Sequence, residues 1–238
     1  MVMRMDYLNY RKQSQSSLST GGVKVYKEPF PHLILENFYD EKELELIWEE
    51  LKFYTKPKKL LGAEHYKGVK GYTNAKAISL DAVYIDYSTS TPDTSASPLT
   101  NYRDLSNILT VNRKLFTSGV LKTYADMDHC CNVALRSSHD YTKVRYYHDG
   151  EYYKPHVDAM FNTLAFSYFH KEPKAFSGGE LYFPYYNYEF PCDNNTFIIF
   201  PGWVEHGVRE VKIKESDYFD GLGRYAITSF LTTRERKL

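Results

Sequence analysis

From about residue 131 onward the chain is written in short apolar runs, broken every ten residues or so by turn residues: NVALRS, TKVRYY, TLAFSYF, GELYFPYYNYEF, NTFIIFP, VEHGVREVKI and RYAITSFLTT. Runs of this length, rich in Val, Ile, Thr, Tyr and Phe and bounded by Gly, Pro, Asn and Asp, read as strands. A regular series of them closes into a sandwich or a barrel. The composition agrees, since 23 Tyr and 14 Phe against two Trp suit the half-buried, pleated surfaces of sheets.

The first half has a different texture. A polar, Ser/Gly-rich stretch (residues 9–22) leads in, PHLILENFYD reads as a strand entering a turn, and DEKELELIWEELKFY reads as a helix. In that helix Leu44, Ile47, Trp48 and Leu51 recur at i, i+3, i+4 and i+7, Asp40 stands at the N-cap, and Glu43 follows three residues later as in a capping box. AKAISLDAVYIDY (75–87) resembles a further strand, and residues 102–126 are mostly helical in pattern. Between them lies STSTPDTSASPLT (88–100), a surface loop or, on its length, a lid over a site. The expected architecture is mainly β with α: a flexible lead-in over 1–28, then a single domain over 29–238 in which a helical N-terminal layer precedes an antiparallel β unit.

Charge and cysteine usage exclude several classes. Thirty Lys+Arg balance thirty Asp+Glu, whereas a protein that neutralises phosphates carries a basic excess. This argues against a nucleic-acid partner. Cys130, Cys131 and Cys192 are odd in number and lack C-x-x-C spacing, against a disulfide framework or a thiolate zinc site and in keeping with a reducing compartment. The opening MVMRMDYLNYRKQ is too polar for a signal peptide and no run has the length of a membrane span, so a cytoplasmic protein without membrane contact is expected.

The chemistry concentrates in YYHDGEYYKPHVD, Tyr146 to Asp158. On a strand, His156 and Asp158 project to one face. FIIFPGWVEHGV then carries His206 out of a buried strand and a Pro-Gly turn, where a distant third ligand belongs. Two imidazoles and one carboxylate leave three positions of an octahedral metal open, the facial arrangement of non-haem Fe(II) oxygenases. DMDHCC (Asp126 to Cys131) is a weaker cluster without spaced partners, and His148 and Asp149 read as part of the turn before the triad.

HVD, SGGELYF, FIIFPGWVEHGV and RYAITSFL, in that order, resemble a 2-oxoglutarate/Fe(II)-dependent dioxygenase. The likeness is greatest to the prolyl 4-hydroxylase group, through Y-x-x-G before H-x-D (Tyr147 to Asp158), GGEL and the distal histidine. The resemblance covers about residues 29–232 and implies a double-stranded β-helix, or jelly roll, with the catalytic core at about 131–232. It implies His156, Asp158 and His206 as iron ligands and catalytic centre. Arg224 would pair with the far carboxylate of 2-oxoglutarate, for which a guanidinium fork is suited, and Tyr147, Tyr168, Thr228 and Leu181 would line that pocket. Fe(II), 2-oxoglutarate, O2 and ascorbate are the implied cofactors. With Asp158 present, the implied reaction is hydroxylation with release of succinate and CO2, on a proline of a protein or peptide partner. Lysyl, small-molecule or nucleobase oxidation on the same core, or a non-catalytic jelly-roll binding module, are the alternatives. The segment between His206 and Arg224 is longer than the family pattern, so either the hairpin there is extended or another base, Arg209, serves instead of Arg224.

Overall fold

The computed structural model describes residues 22–55, 72–84, 102–137 and 139–232. Two strands, β1 (Val23–Tyr26) and β2 (His32–Glu36), are followed by α1 (Glu41–Thr55), β3 (Lys76–Ser79) and α2 (Leu80–Tyr84). Three short helices come next, α3 (Asn107–Val111), α4 (Lys114–Thr117) and α5 (Val120–Ala125), and then a 3-10 helix, His129–Arg136. The rest is strand: β4 (His139–Tyr147), β5 (Tyr153–His156), β6 (Thr163–Phe169), β7 (Phe176–Gly178), β8 (Leu181–Phe183), β9 (Tyr188–Phe190), β10 (Thr196–Pro201), β11 (His206–Val208), β12 (Val211–Ile213) and β13 (Arg224–Thr232).

A seven-stranded sheet runs in the order β1-β2-β10-β6-β13-β4-β3, and a four-stranded sheet in the order β5-β11-β8-β9. The strand pairs are antiparallel. A two-stranded ribbon, β12-β7, completes the set. The expected mainly-β architecture, a jelly-roll core preceded by a helical layer, is the one observed.

The large sheet is covered on both faces, which explains why its central strands read as continuous apolar runs rather than alternating ones. Phe197 and Ile199 of β10, Ala165 and Phe169 of β6, and Tyr225 and Ile227 of β13 join the helices in one core. Their neighbours Ile198 and Phe200, Phe166 and Tyr168, and Ala226 and Phe230 face the small sheet in a second. That second core opens into the site.

The capping box at α1 forms as its residues predict: the Glu43 amide donates to Asp40 Oδ1 at 2.9 Å, and the Asp40 amide to Glu43 Oε2 at 2.9 Å. The buried face of α1 is rotated from the expected stripe. Ile47 and Leu51 lie at its centre, but Glu43, Glu50 and Tyr54 are buried beside them while Leu44 and Trp48 are half-buried. Two acids sit inside because each is partnered: Lys114 Nζ donates to Glu43 at 2.7 Å, and Glu50 accepts from Ser106 Oγ at 2.8 Å, the Ile108 amide at 2.7 Å and the Tyr54 hydroxyl at 2.6 Å.

Three expectations are revised. Residues 75–87 do not form one strand. Lys76–Ser79 pair with Lys143–Tyr146 of β4, and α2 then turns the chain so that the Tyr84 hydroxyl reaches Tyr54 at 3.2 Å and Glu50 at 3.3 Å on α1. NVALRS is not a strand but the end of the 3-10 helix, capped by Asp128, whose carboxylate accepts the Cys130 amide at 3.0 Å. Its buried residues, Cys131 and Ala134, recur at three, the period of that helix rather than of a strand. The lead-in expected over 1–28 ends sooner, because Val23–Tyr26 add an edge strand to β2. Residues 1–21, and the loop 88–100 read as a lid, lie outside the described residues, among which no helix is long and apolar enough to cross a membrane.

Candidate active site

His156 ends β5 and His206 begins β11, and the two are directly opposite in the antiparallel pair. Asp158 stands two residues past the end of β5, yet its carboxylate still meets both rings: Oδ2 lies 3.7 Å from His156 Nε2 and 3.6 Å from His206 Nε2. One ligand atom from each residue falls within 4.8 Å of the others. Gly202 permits this convergence, since a Cβ there would come within 2.8 Å of the Asp158 carbonyl oxygen and 2.0 Å of that of Phe161.

Both imidazoles are oriented from behind. His156 Nδ1 lies 2.9 Å from the Lys154 carbonyl and His206 Nδ1 2.9 Å from the Val204 carbonyl, so Nδ1 carries the proton and Nε2 presents its lone pair to the cluster. Tyr153 stacks on His156 with ring centres 4.0 Å apart, and Phe200 packs edge-on against His206 at 5.1 Å. Burial, reinforced by the neighbouring His156, pushes His206 down to about 4 against the pull of Asp158. For Asp158, burial acts upward, but the nearby His156 and His206 and the field of Lys143 prevail and hold it below its ordinary value. Two imidazole Nε2 atoms and a carboxylate on one face form a donor set that fits a divalent transition metal.

Arg224 opens β13 opposite Tyr147 of β4 and is 1% exposed. Its guanidinium lies between two aromatic rings, 4.3 Å from the centre of Tyr147 and 5.1 Å from that of Tyr168. Nε donates to the Gly179 carbonyl at 2.7 Å and Nη2 to Cys192 Sγ at 3.5 Å. Nη1 is buried without a hydrogen-bond partner. A buried cation whose Nη1 lacks a partner fits an anionic group entering the same pocket.

All eight residues singled out from the sequence, His156, Asp158, His206, Arg224, Tyr147, Tyr168, Thr228 and Leu181, line one pocket between the two sheets. Arg209 does not. It is exposed, bonds Glu189 on the outer surface and lies 3.9 Å over the Tyr182 ring. The long segment between His206 and Arg224 is an ordered extension: β12 pairs with β7, and Tyr218 and Phe219 then pack against Tyr146 and His148. His148 and Asp149 belong to the turn, where the His148 amide donates to Glu151 at 2.8 Å and Asp149 accepts the Ile213 amide at 3.1 Å.

Lys143 and Arg145 also line the pocket and were missed. The signal was present, because they precede Tyr147 by four and two residues on β4 and so share its face. Cys192 had no such signal, as it follows β9 in a stretch without periodicity.

A model of the 2OG-Fe(II) oxygenase superfamily matches residues 142–232, from within β4 to the end of β13. No curated protein sequence matches the chain. Among solved structures, an oxidoreductase of the 2OG-Fe(II) oxygenase family from Burkholderia pseudomallei is 14% identical with a TM-score of 0.50, covering 96% of this chain and 92% of its own. OsALKBH1 is 11% identical with a TM-score of 0.51, covering 90% of this chain and all of its own. A Pseudomonas putida prolyl-4-hydroxylase is 13% identical with a TM-score of 0.48, covering 94% and 100%. The two with the higher scores share the fold with this chain. Residues 142–232, the β core that carries His156, Asp158, His206 and Arg224, are similar to the 2OG-Fe(II) oxygenase superfamily.

Proposed function

We propose that this chain is a 2-oxoglutarate- and Fe(II)-dependent hydroxylase, with proline in a protein or peptide as its target. The observation that carries the co-substrate reading is Arg224, a buried cation whose Nη1 lacks a protein partner and which lines the pocket of the His156–Asp158–His206 cluster. His156, Asp158 and His206 would hold iron through Nε2, Oδ2 and Nε2. Iron bound there would couple the oxidative decarboxylation of 2-oxoglutarate, by O2, to succinate and CO2 with insertion of the second oxygen atom into a substrate C–H bond.

The protein's own residues supply position. The backbone carbonyls of Lys154 and Val204 hold both imidazoles in one tautomer and one orientation. Arg224, stacked between Tyr147 and Tyr168, would take the far carboxylate through Nη1, while Leu181, Phe166 and Thr228 line the walls. The prolyl target is supported by the sequence pattern from Tyr147 to Asp158 with GGEL and RYAIT. Exposed apolar side chains beside the ligands, Val157 and Trp203 at about half exposure and Met160 more so, offer an uncharged surface to a proline ring.

The test is succinate release from 2-oxoglutarate with Fe(II) and ascorbate, with and without a pool of proline-containing peptides and, separately, a methylated oligonucleotide. Release that rises with the peptides and falls when their prolines are replaced by alanine is expected. Stimulation by the oligonucleotide alone would retain the oxygenase and remove the prolyl target. No release under any condition would leave a binding module.

A further inference from the structure

The family pattern accounts for Arg224 but for nothing that holds it. Its guanidinium is fixed from one side by two groups: the Gly179 carbonyl on Nε at 2.7 Å and Cys192 Sγ on Nη2 at 3.5 Å. The same sulfur lies 3.1 Å from the Gly179 carbonyl. Gly179, Cys192 and Arg224 thus form a closed ring of contacts, in which the thiol donates to the carbonyl and accepts from the guanidinium. A neutral thiol is what this ring requires, and burial pushes the Cys192 thiol up.

We infer that Cys192 is a positioning residue for co-substrate binding, holding Nη2 so that the guanidinium presents Nη1 to a carboxylate in the pocket. The inference rests on the reading of Arg224 as the carboxylate anchor. The physical reason is rotational. Nε alone fixes one end of a planar group that can still turn about its long axis, whereas a second contact at Nη2 fixes the plane. The rings of Tyr147 and Tyr168 then hold that plane from either side without supplying direction. Cys192 is 4% exposed and does not itself line the pocket, so its influence passes through the lining residues it touches, Arg224 and Tyr168.

Two substitutions separate the hydrogen bond from mere packing. Cys192→Ser keeps a donor and an acceptor; Cys192→Val fills the space with neither. The readout is the dissociation constant for 2-oxoglutarate in the presence of Mn(II), a redox-stable stand-in for iron, measured by calorimetry on the full chain. Mn(II) affinity and unfolding temperature are measured in parallel. Cys192→Val is expected to weaken 2-oxoglutarate binding about tenfold, the effect of losing one charge-assisted hydrogen bond, with Mn(II) affinity unchanged. Cys192→Ser is expected to stay within about threefold of the parent, by the same principle. If Cys192→Val binds 2-oxoglutarate like the parent, or if serine loses as much as valine, Cys192 only fills space and the inference falls. If the parent chain itself binds no 2-oxoglutarate while binding Mn(II), the reading of Arg224 falls first and takes this inference with it.

Discussion

At the scale of single residues, the site depends on places where a side chain would be in the way. Gly179 has a φ of +78°, and a Cβ there would stand 2.5 Å from Arg224 Cδ and 2.7 Å from Nε. Gly179→Ala therefore faces both the left-handed backbone penalty, about 1 kcal/mol, and a collision with the guanidinium stem. The expected outcome is at least about a tenfold loss of 2-oxoglutarate affinity with Mn(II) binding retained, read by the same calorimetry. Retained co-substrate affinity would mean that Arg224 tolerates displacement and that its present position is not what matters. The GGEL motif was legible in the sequence, and so were the triad and Arg224, because each is a residue type whose chemistry is scarce in a β core. Lys143, Arg145 and Cys192 were not singled out, since a cation on an exposed-looking strand and an isolated cysteine have no unique reading until the facing element is known.

At the scale of elements, the capped helix α1 and the strands β4, β6, β10 and β13 were readable as periodic or β-branched runs with turn residues between them, whereas β8 and β9, and β11 and β12, each read as one run and the three-residue β7 had no run of its own. The misreadings fell where tertiary contact overrides local pattern, at α2 and at the 3-10 helix over His129–Arg136. Burial was also hard to read in the acids. Asp140 on β4 is 2% exposed and joins the helical layer to the sheet, with Arg103 Nη2 at 2.9 Å, Arg113 Nη1 at 3.0 Å and the Thr142 hydroxyl at 3.1 Å from its carboxylate. Removing it leaves two arginines facing a buried gap. Asp140→Ala is expected to cost about 2–3 kcal/mol, the low end for breaking a buried ionic cluster because Arg113 is partly solvated, and to lower the unfolding temperature by roughly 5–10 °C. An unchanged unfolding temperature would show that water substitutes for the carboxylate. Metal binding, on the opposite face of the same sheet, should be unaffected.

At the scale of the whole molecule, acid is expected to destabilise the metal-free chain. Burial is the leading cause that lowers His32, His170 and His206, so each binds a proton more weakly folded than unfolded. The unfolded state then takes up more protons as the pH falls below the ordinary histidine value of about 6.5. Their contribution to stability is present above that value and is lost progressively toward the folded-state value, about 4 for His206. Thermal unfolding of the metal-free protein should therefore shift down between pH 7.5 and pH 5, and bound Mn(II) should widen the gap between loaded and free protein at the upper end. A flat profile would mean that the three histidines take up protons in the folded state without cost.

The segment that separates His206 from Arg224 in the chain returns to the strand that precedes Gly179, through the pairing of Val211–Ile213 with Phe176–Gly178. An extension between two functional strands thereby braces the carbonyl on which Arg224 rests, and a Cβ at Gly178 would strike the Glu210 carbonyl oxygen at 2.0 Å. A change in that outer ribbon would reach the Gly179 carbonyl, and through it Arg224, along the backbone itself. A partner that grips the ribbon would have a rigid lever on how tightly the co-substrate is held.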